Sequence, residues 1–111
     1  MQLLTEELRA SLPPLRSQKQ NNDPHVYAKF FTPDSNWTWF VLEGSAEDED
    51  FIFYGYVFSD YDELELGYFS LKELESVRGG LRLPIERDRL FKPGSWSGVR
   101  ARYKQERGEQ V

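Results

Sequence analysis

The 111-residue chain has no cysteine, one histidine and one methionine. Without cysteine it forms neither a disulfide nor a thiolate metal site, which fits a reducing compartment. The single histidine leaves one imidazole for acid–base work, and its position is poor. If residues 25–31 and 37–43 pair as a hairpin, His25 lies about 20 Å from Ser35 at ~3.3 Å per residue. That distance excludes a nucleophile–base pair with the Asp34-Ser35-Asn36 turn. No apolar run approaches the roughly 18–20 residues of a membrane helix. Residues 1–7 lack the basic-then-apolar pattern of a signal peptide. No segment repeats. The acidic run Glu47-Asp48-Glu49-Asp50 lacks the spaced acids, mid-loop glycine and terminal glutamate of a calcium loop, so no metal is expected. The expectation is a cytoplasmic protein without cofactor or membrane partner, a monomer or weak homo-oligomer.

What the chain does have is aromatic residues, 15% of the total. They concentrate in residues 37–42 and 51–58, two stretches of strand-forming residues separated by a short acidic break. Both are apolar on both faces, which places them in the middle of a covered sheet. Gly55 inside the second stretch predicts a bulge or a close backbone approach. Ahead of them, Thr5 caps a short helix whose Leu4, Leu8 and Leu12 form one stripe and which Pro13-Pro14 stops. Residues 16–24 read as a polar loop. Residues 25–31 form the first strand, with Val26, Ala28 and Phe30 on one side. Residues 32–36 turn the chain.

Residues 63–69 alternate as a half-buried strand. Ser70 to Glu73 is a capping box opening a helix that Gly79 or Gly80 ends. Residues 84–88 read as a loop, and 90–93 as a short extended piece. The fold class is therefore α+β: a mostly antiparallel meander of four to five strands, a short N-terminal helix and a second helix after the fourth strand. Residues 1–96 form one domain, and 97–111 a charged tail open to fraying. Something must cover the second face of the central strands: the helix 70–77, the segment 84–96 or another molecule.

Charge is unevenly spread. Residues 1–42 are neutral, 43–76 carry eleven acids and one base, and 77–111 carry four acids and nine bases, giving −5 in all. Three surfaces follow. An acidic and aromatic one for a protein partner comprises Glu47, Asp48, Glu49, Asp50, Tyr54, Tyr56, Asp60 and Asp62. A basic one for nucleic acid comprises Arg78, Arg82, Arg89, Lys92, Arg100 and Arg102, with Trp96 and Tyr103 available to stack. No sequence signature of a nucleic-acid module accompanies it. A polar cluster of Asp34, Asn36, Glu86, Arg87 and Asp88 is the alternative for an enzyme. The charged triplet there also suits a structural role, tying its loop to a strand.

Residues 32–39 (Thr-Pro-Asp-Ser-Asn-Trp-Thr-Trp), 66–75 (Leu-Gly-Tyr-Phe-Ser-Leu-Lys-Glu-Leu-Glu) and 83–88 (Leu-Pro-Ile-Glu-Arg-Asp) resemble a bacterial family known as domain of unknown function 2958. The opening Leu3-Leu4-Thr5 and Leu12-Pro13-Pro14-Leu15 are similar to it as well. The resemblance spans about residues 2–93, with the tail particular to this chain. It implies a small bacterial protein, often encoded on plasmids and mobile elements. It implies no activity, catalytic residue or cofactor. The family's pattern has glycine where this chain has Arg82, which argues against a tight turn there. The functional expectation is a non-enzymatic binding or regulatory module acting on a protein partner. The alternatives are a nucleic-acid-associated accessory protein and, behind it, an enzyme.

Overall fold

The computed structural model describes residues 1–61 and 63–108. Helix α1 (Glu6–Ser11) opens the chain. The Thr5 hydroxyl accepts the Leu8 N–H at 3.1 Å, and Glu6 and Glu7 sit in the positive first turn. The strands β1 (His25–Val26), β2 (Ala28–Phe31), β3 (Thr38–Glu47), β4 (Asp50–Phe58) and β5 (Leu64–Ser70) follow. Helix α2 (Leu71–Ser76) has the full capping box: Ser70 takes the Glu73 N–H, and the Glu73 side chain takes the Ser70 N–H. Strands β6 (Glu86–Arg87) and β7 (Gly94–Ser95) lead to helix α3 (Trp96–Gly108).

The main sheet has the order β5-β4-β3-β2-β6, antiparallel throughout. Strands β2 to β5 follow chain order as a meander. The fifth member, β6, crosses back and pairs with Phe30 and Phe31 of β2 at the edge opposite β5. Its segment reads as a loop in the sequence, because two residues carry no periodicity. Of the extended piece expected at 90–93, Leu90 lies instead in a turn closed by Phe91 N–H to Asp88 C=O at 3.3 Å, and 91–93 belong to no strand. Strand pairing resumes at β7, which lies against β1. Helix α2 stops at Ser76, before either glycine.

The first strand does not keep one face. Val26 packs on one side of the sheet, Ala28 and Phe30 on the other, because the strand breaks at Tyr27. A second irregularity is a bulge in β3: Val41 pairs with Gly55 and Glu43 with Tyr54, leaving Leu42 as the extra residue. Gly55 sits at this step for a steric reason. A Cβ there would overlap the carbonyl oxygen of Phe40.

Two cores result. On one face α1 and α2 bury Leu4, Leu8, Leu12 and Leu74 against Phe30, Trp39, Val41, Phe51, Phe53 and Phe69. On the other, α3 buries Trp96, Val99 and Tyr103 against Val26, Phe40, Leu42 and Phe58. The charged segment expected as a tail is this helix, as far as Gly108; residues 109–111 lie outside the described residues. Its apolar residues at 96, 99 and 103 are spaced i, i+3, i+7, a narrow stripe among many charges. The Tyr103 ring meets Phe40 edge-on at 5.3 Å and stacks on Phe58 at 4.5 Å.

Candidate functional site

The bulge in β3 decides where one carboxylate goes. With unbroken alternation, Glu43 would share a face with Val41 and enter the core under α1 and α2. The extra residue turns Glu43 to the α3 side, opposite Tyr54. There it is 2% exposed. Its Oε1 accepts the Arg16 N–H at 2.7 Å and its Oε2 the Gln18 N–H at 2.8 Å. Arg16 adopts the left-handed region, φ 76°, where a side chain is disfavoured. Gln18 completes the tie: its amide donates to the carbonyls of His25 and Leu42 at 2.9 Å and accepts the His25 N–H at 2.7 Å. The polar loop 16–24 is thereby fixed along β3.

This arrangement walls a cavity of about 340 Å³. Arg16, Gln18, Lys19 and Asn21 form its loop side, and Tyr54, Tyr56, Leu66 and Tyr68 its sheet side, with Glu43 between them. The Tyr54 and Tyr68 rings lie 4.8 Å apart. Tyr56 stacks on Trp96 of α3. Leu66 and Tyr68 are 49% and 60% exposed. Partial burial raises the Tyr54 hydroxyl pKa, and the neighbouring Tyr68 and the Glu43 charge add to it. Burial likewise raises that of Tyr56, Tyr54 and Asp23 adding to the effect and Arg100 opposing it. Among the described residues no lysine or arginine forms an ion pair with Glu43. A buried carboxylate satisfied only by backbone N–H groups keeps acceptor capacity and a negative field directed at the aromatic walls.

The residues singled out in the sequence are distributed around this pocket rather than gathered in it. Tyr54 and Tyr56 line it. Asp48 and Glu49 form the two-residue turn between β3 and β4, with Asp48 at φ 53°, and Glu47 is exposed beside them. Asp50 has a structural role: its Oδ1 accepts the Phe51 N–H at 2.7 Å and the Lys72 N–H at 3.1 Å. Desolvation works to raise its carboxyl pKa, but these hydrogen bonds, the Ser70 hydroxyl and the Lys72 charge outweigh it and leave the pKa lowered. Asp60 accepts the Asn36 N–H at 2.8 Å and the Trp37 indole N–H at 3.2 Å. Asp62 lies outside the described residues.

The polar cluster separates. Asp34 turns to the loop after α2, where its Oδ2 accepts the Leu81 N–H at 2.7 Å and its carboxylate lies against Gly79. Asn36 goes with Asp60. Asp88 ties its loop to β2 through a 3.6 Å ion pair with Lys29 and its own N–H to the Lys29 carbonyl. Glu86 and Arg87 pair in register with β2. The turn at 79–82 forms despite Arg82, which takes φ 65°, the conformation glycine would supply.

The basic residues divide between the two faces. Arg78 spends its guanidinium on the carbonyls of Glu75 and Val77 at the end of α2. Arg100 and Arg102 belong to α3 across the sheet, where Arg102 binds the Lys92 carbonyl at 2.8 Å and Arg100 lies 6.0 Å from the Trp96 ring. Arg89 lines a shallow hollow with Met1 and Lys29.

Sequence reasoning missed Glu43, Gln18, Leu66 and Tyr68 as site residues. The available signal was Gly55: a glycine marking a bulge, opposite a strand whose apolar run ends in a lone glutamate. Among the described residues no group of three or more histidine, aspartate or glutamate side chains gathers as a metal site. No helix is long and apolar enough to cross a membrane, among the described residues. No curated protein and no solved structure matches the chain. One family model does match, over residues 3–109, so that α3, expected as a segment particular to this chain, lies within the shared domain. The chain belongs to the family described as protein of unknown function (DUF2958).

Proposed function

We propose that this protein is a non-enzymatic binding module that engages a basic segment of a protein partner at the tyrosine-walled pocket. The observation that carries this reading is Glu43: a carboxylate 2% exposed, without a cationic partner among the described residues, lining a cavity together with Tyr54 and Tyr68. Aromatic faces and a desolvated carboxylate together suit an ammonium or guanidinium group, by ring–cation attraction and charge-assisted hydrogen bonding. The region 43–76, with eleven acids and one base, adds a long-range field that draws basic partners and accelerates encounter. Arg16 and Lys19 on the loop wall restrict approach to the sheet side, where Tyr68 and Leu66 are exposed.

The test is a display selection of random peptides on the full chain at low salt, with Tyr68→Ala as counter-target. Enrichment of Lys- or Arg-containing peptides, with affinity at least about tenfold weaker for Tyr68→Ala, supports the reading. Tyr68 is largely exposed, so the variant keeps its fold. Enriched peptides without basic residues, or equal affinity for both proteins, overturn it.

A further inference from the structure

We infer that the basic partner binds as an added β-strand along β5, with its cationic side chain entering the tyrosine pocket from that edge. The inference rests on the reading above and names the partner's conformation. Strand β5 pairs with β4 on one side and ends the sheet on the other. Among the described residues no hydrogen bond outside the sheet engages the backbone of 64–69, while the Ser70 N–H goes to the Glu73 side chain. Every second residue of an edge strand turns its N–H and C=O outward, and an extended chain satisfies that row.

The edge lacks the usual protection. It is seven residues long, whereas the opposite edge, β6, has two. It contains no proline and no lysine, and Gly67 at its centre leaves open space where a Cβ would stand. Leu66 and Tyr68, two residues apart, face the pocket side and offer an apolar surface and a ring face to the cationic side chains on that face of an incoming strand. The intervening Glu65 is exposed, as is Glu63 just before the strand.

Charge selects the occupant. A second copy pairing through its own β5 would bring two strands of the same acidic 43–76 region together, and like charges across a ladder are destabilising. A strand alternating lysine or arginine with apolar residues sets its cations on one face, beside Leu66 and the Tyr68 ring at the edge of the pocket, within the field of the acidic region.

The probe is a blocked peptide of about eight residues alternating lysine and valine, long enough to pair along the whole edge. It is compared with two derivatives, one N-methylated on the lysines and one on the valines. Only one set of amides faces β5 in a strand complex. One derivative is expected to lose at least about tenfold in affinity while the other stays within about threefold of the parent. Amide exchange at 65–68 should slow in the complex. Parent binding that both methylations weaken equally, or leave intact, overturns strand addition while retaining the pocket reading. Failure of the parent to bind at low salt, with no basic peptide recovered in the selection, removes both. A chain that dimerises in sedimentation and loses the dimer on Leu66→Lys assigns the edge to a second copy and also overturns the inference.

Discussion

Tyr56 of β4 and Trp96 of α3 stack face to face, ring centroids 3.9 Å apart and planes within 7°. The pair joins the sheet to the helix that covers its second face, and Tyr56 also lines the tyrosine pocket. Stability and the position of one pocket wall therefore share one residue. Trp96→Ala should cost about 3–5 kcal/mol, read as a lower urea midpoint with a loss of near-ultraviolet ellipticity. A loss below about 1 kcal/mol would show that α3 does not hold the second core.

Glu43 accepts two backbone N–H groups in a place with little water. Glu43→Leu removes a buried charge but orphans both donors, and the loop 16–24 loses its anchor. The expected cost is about 2 kcal/mol or more, with faster amide exchange at Arg16 and Gln18. Unchanged exchange at those amides would contradict the anchoring role.

Gly55→Ala places a methyl group on the Phe40 carbonyl oxygen at the bulge. Backbone cannot yield as a side-chain tip does, so the strand must shift. A loss of about 2 kcal/mol or more is expected by thermal or chemical denaturation. A neutral result would mean that β3 and β4 re-register at little cost.

Arg82 holds φ 65° with an exposed side chain, in a turn closed by its own N–H to the Gly79 carbonyl at 2.9 Å. Arg82→Gly should stabilise the protein by a few tenths to about 1 kcal/mol, since relief of the left-handed strain outweighs the added freedom of the unfolded chain. A destabilised variant would contradict this.

Asp23 stands at the start of α3, with its Oδ2 accepting the Ser97 hydroxyl at 2.7 Å and its Oδ1 the Ser97 N–H at 2.8 Å. These two bonds, the hydroxyl's first, lower its pKa below the ordinary carboxylate value. A carboxylate with a depressed folded pKa contributes stability that is present above the unfolded pKa, about 4, and lost as pH falls through the folded value. Asp50, also lowered, acts in the same window. Asp23→Asn should flatten the loss of stability below about pH 4 and leave the slope between pH 5 and 8 unchanged, as measured by urea titration at each pH.

Where a local pattern had enough residues to speak, the chain was readable. Thr5 and the Leu4-Leu8-Leu12 stripe give α1, Ser70 with Glu73 gives α2, and the four meander strands follow their apolar runs. Tyr54 and Tyr56 were legible as half-buried rings on one face. Glu43 was not, because alternation puts it on the wrong face until the extra Leu42 is counted, and a bulge is a property of two strands together. The structural ties of Asp34 and Asp60 were not legible because the N–H groups they accept come from residues 81 and 36, far away in sequence.

The sequence by itself determined the class of fold, the doubly covered middle strands and the demand for a second cover, since periodicity and capping act over a few residues. Tertiary structure alone decided that the cover is α3. Its three buried residues are too few for a conspicuous stripe, and they become a core only against Phe40 and Phe58. It also decided that β6 closes one edge while β5 stays open, and that the buried carboxylate, the tyrosines and the loop 16–24 meet. Those relations join segments tens of residues apart, where loop-closure entropy must be overcome by packing that no single segment contains.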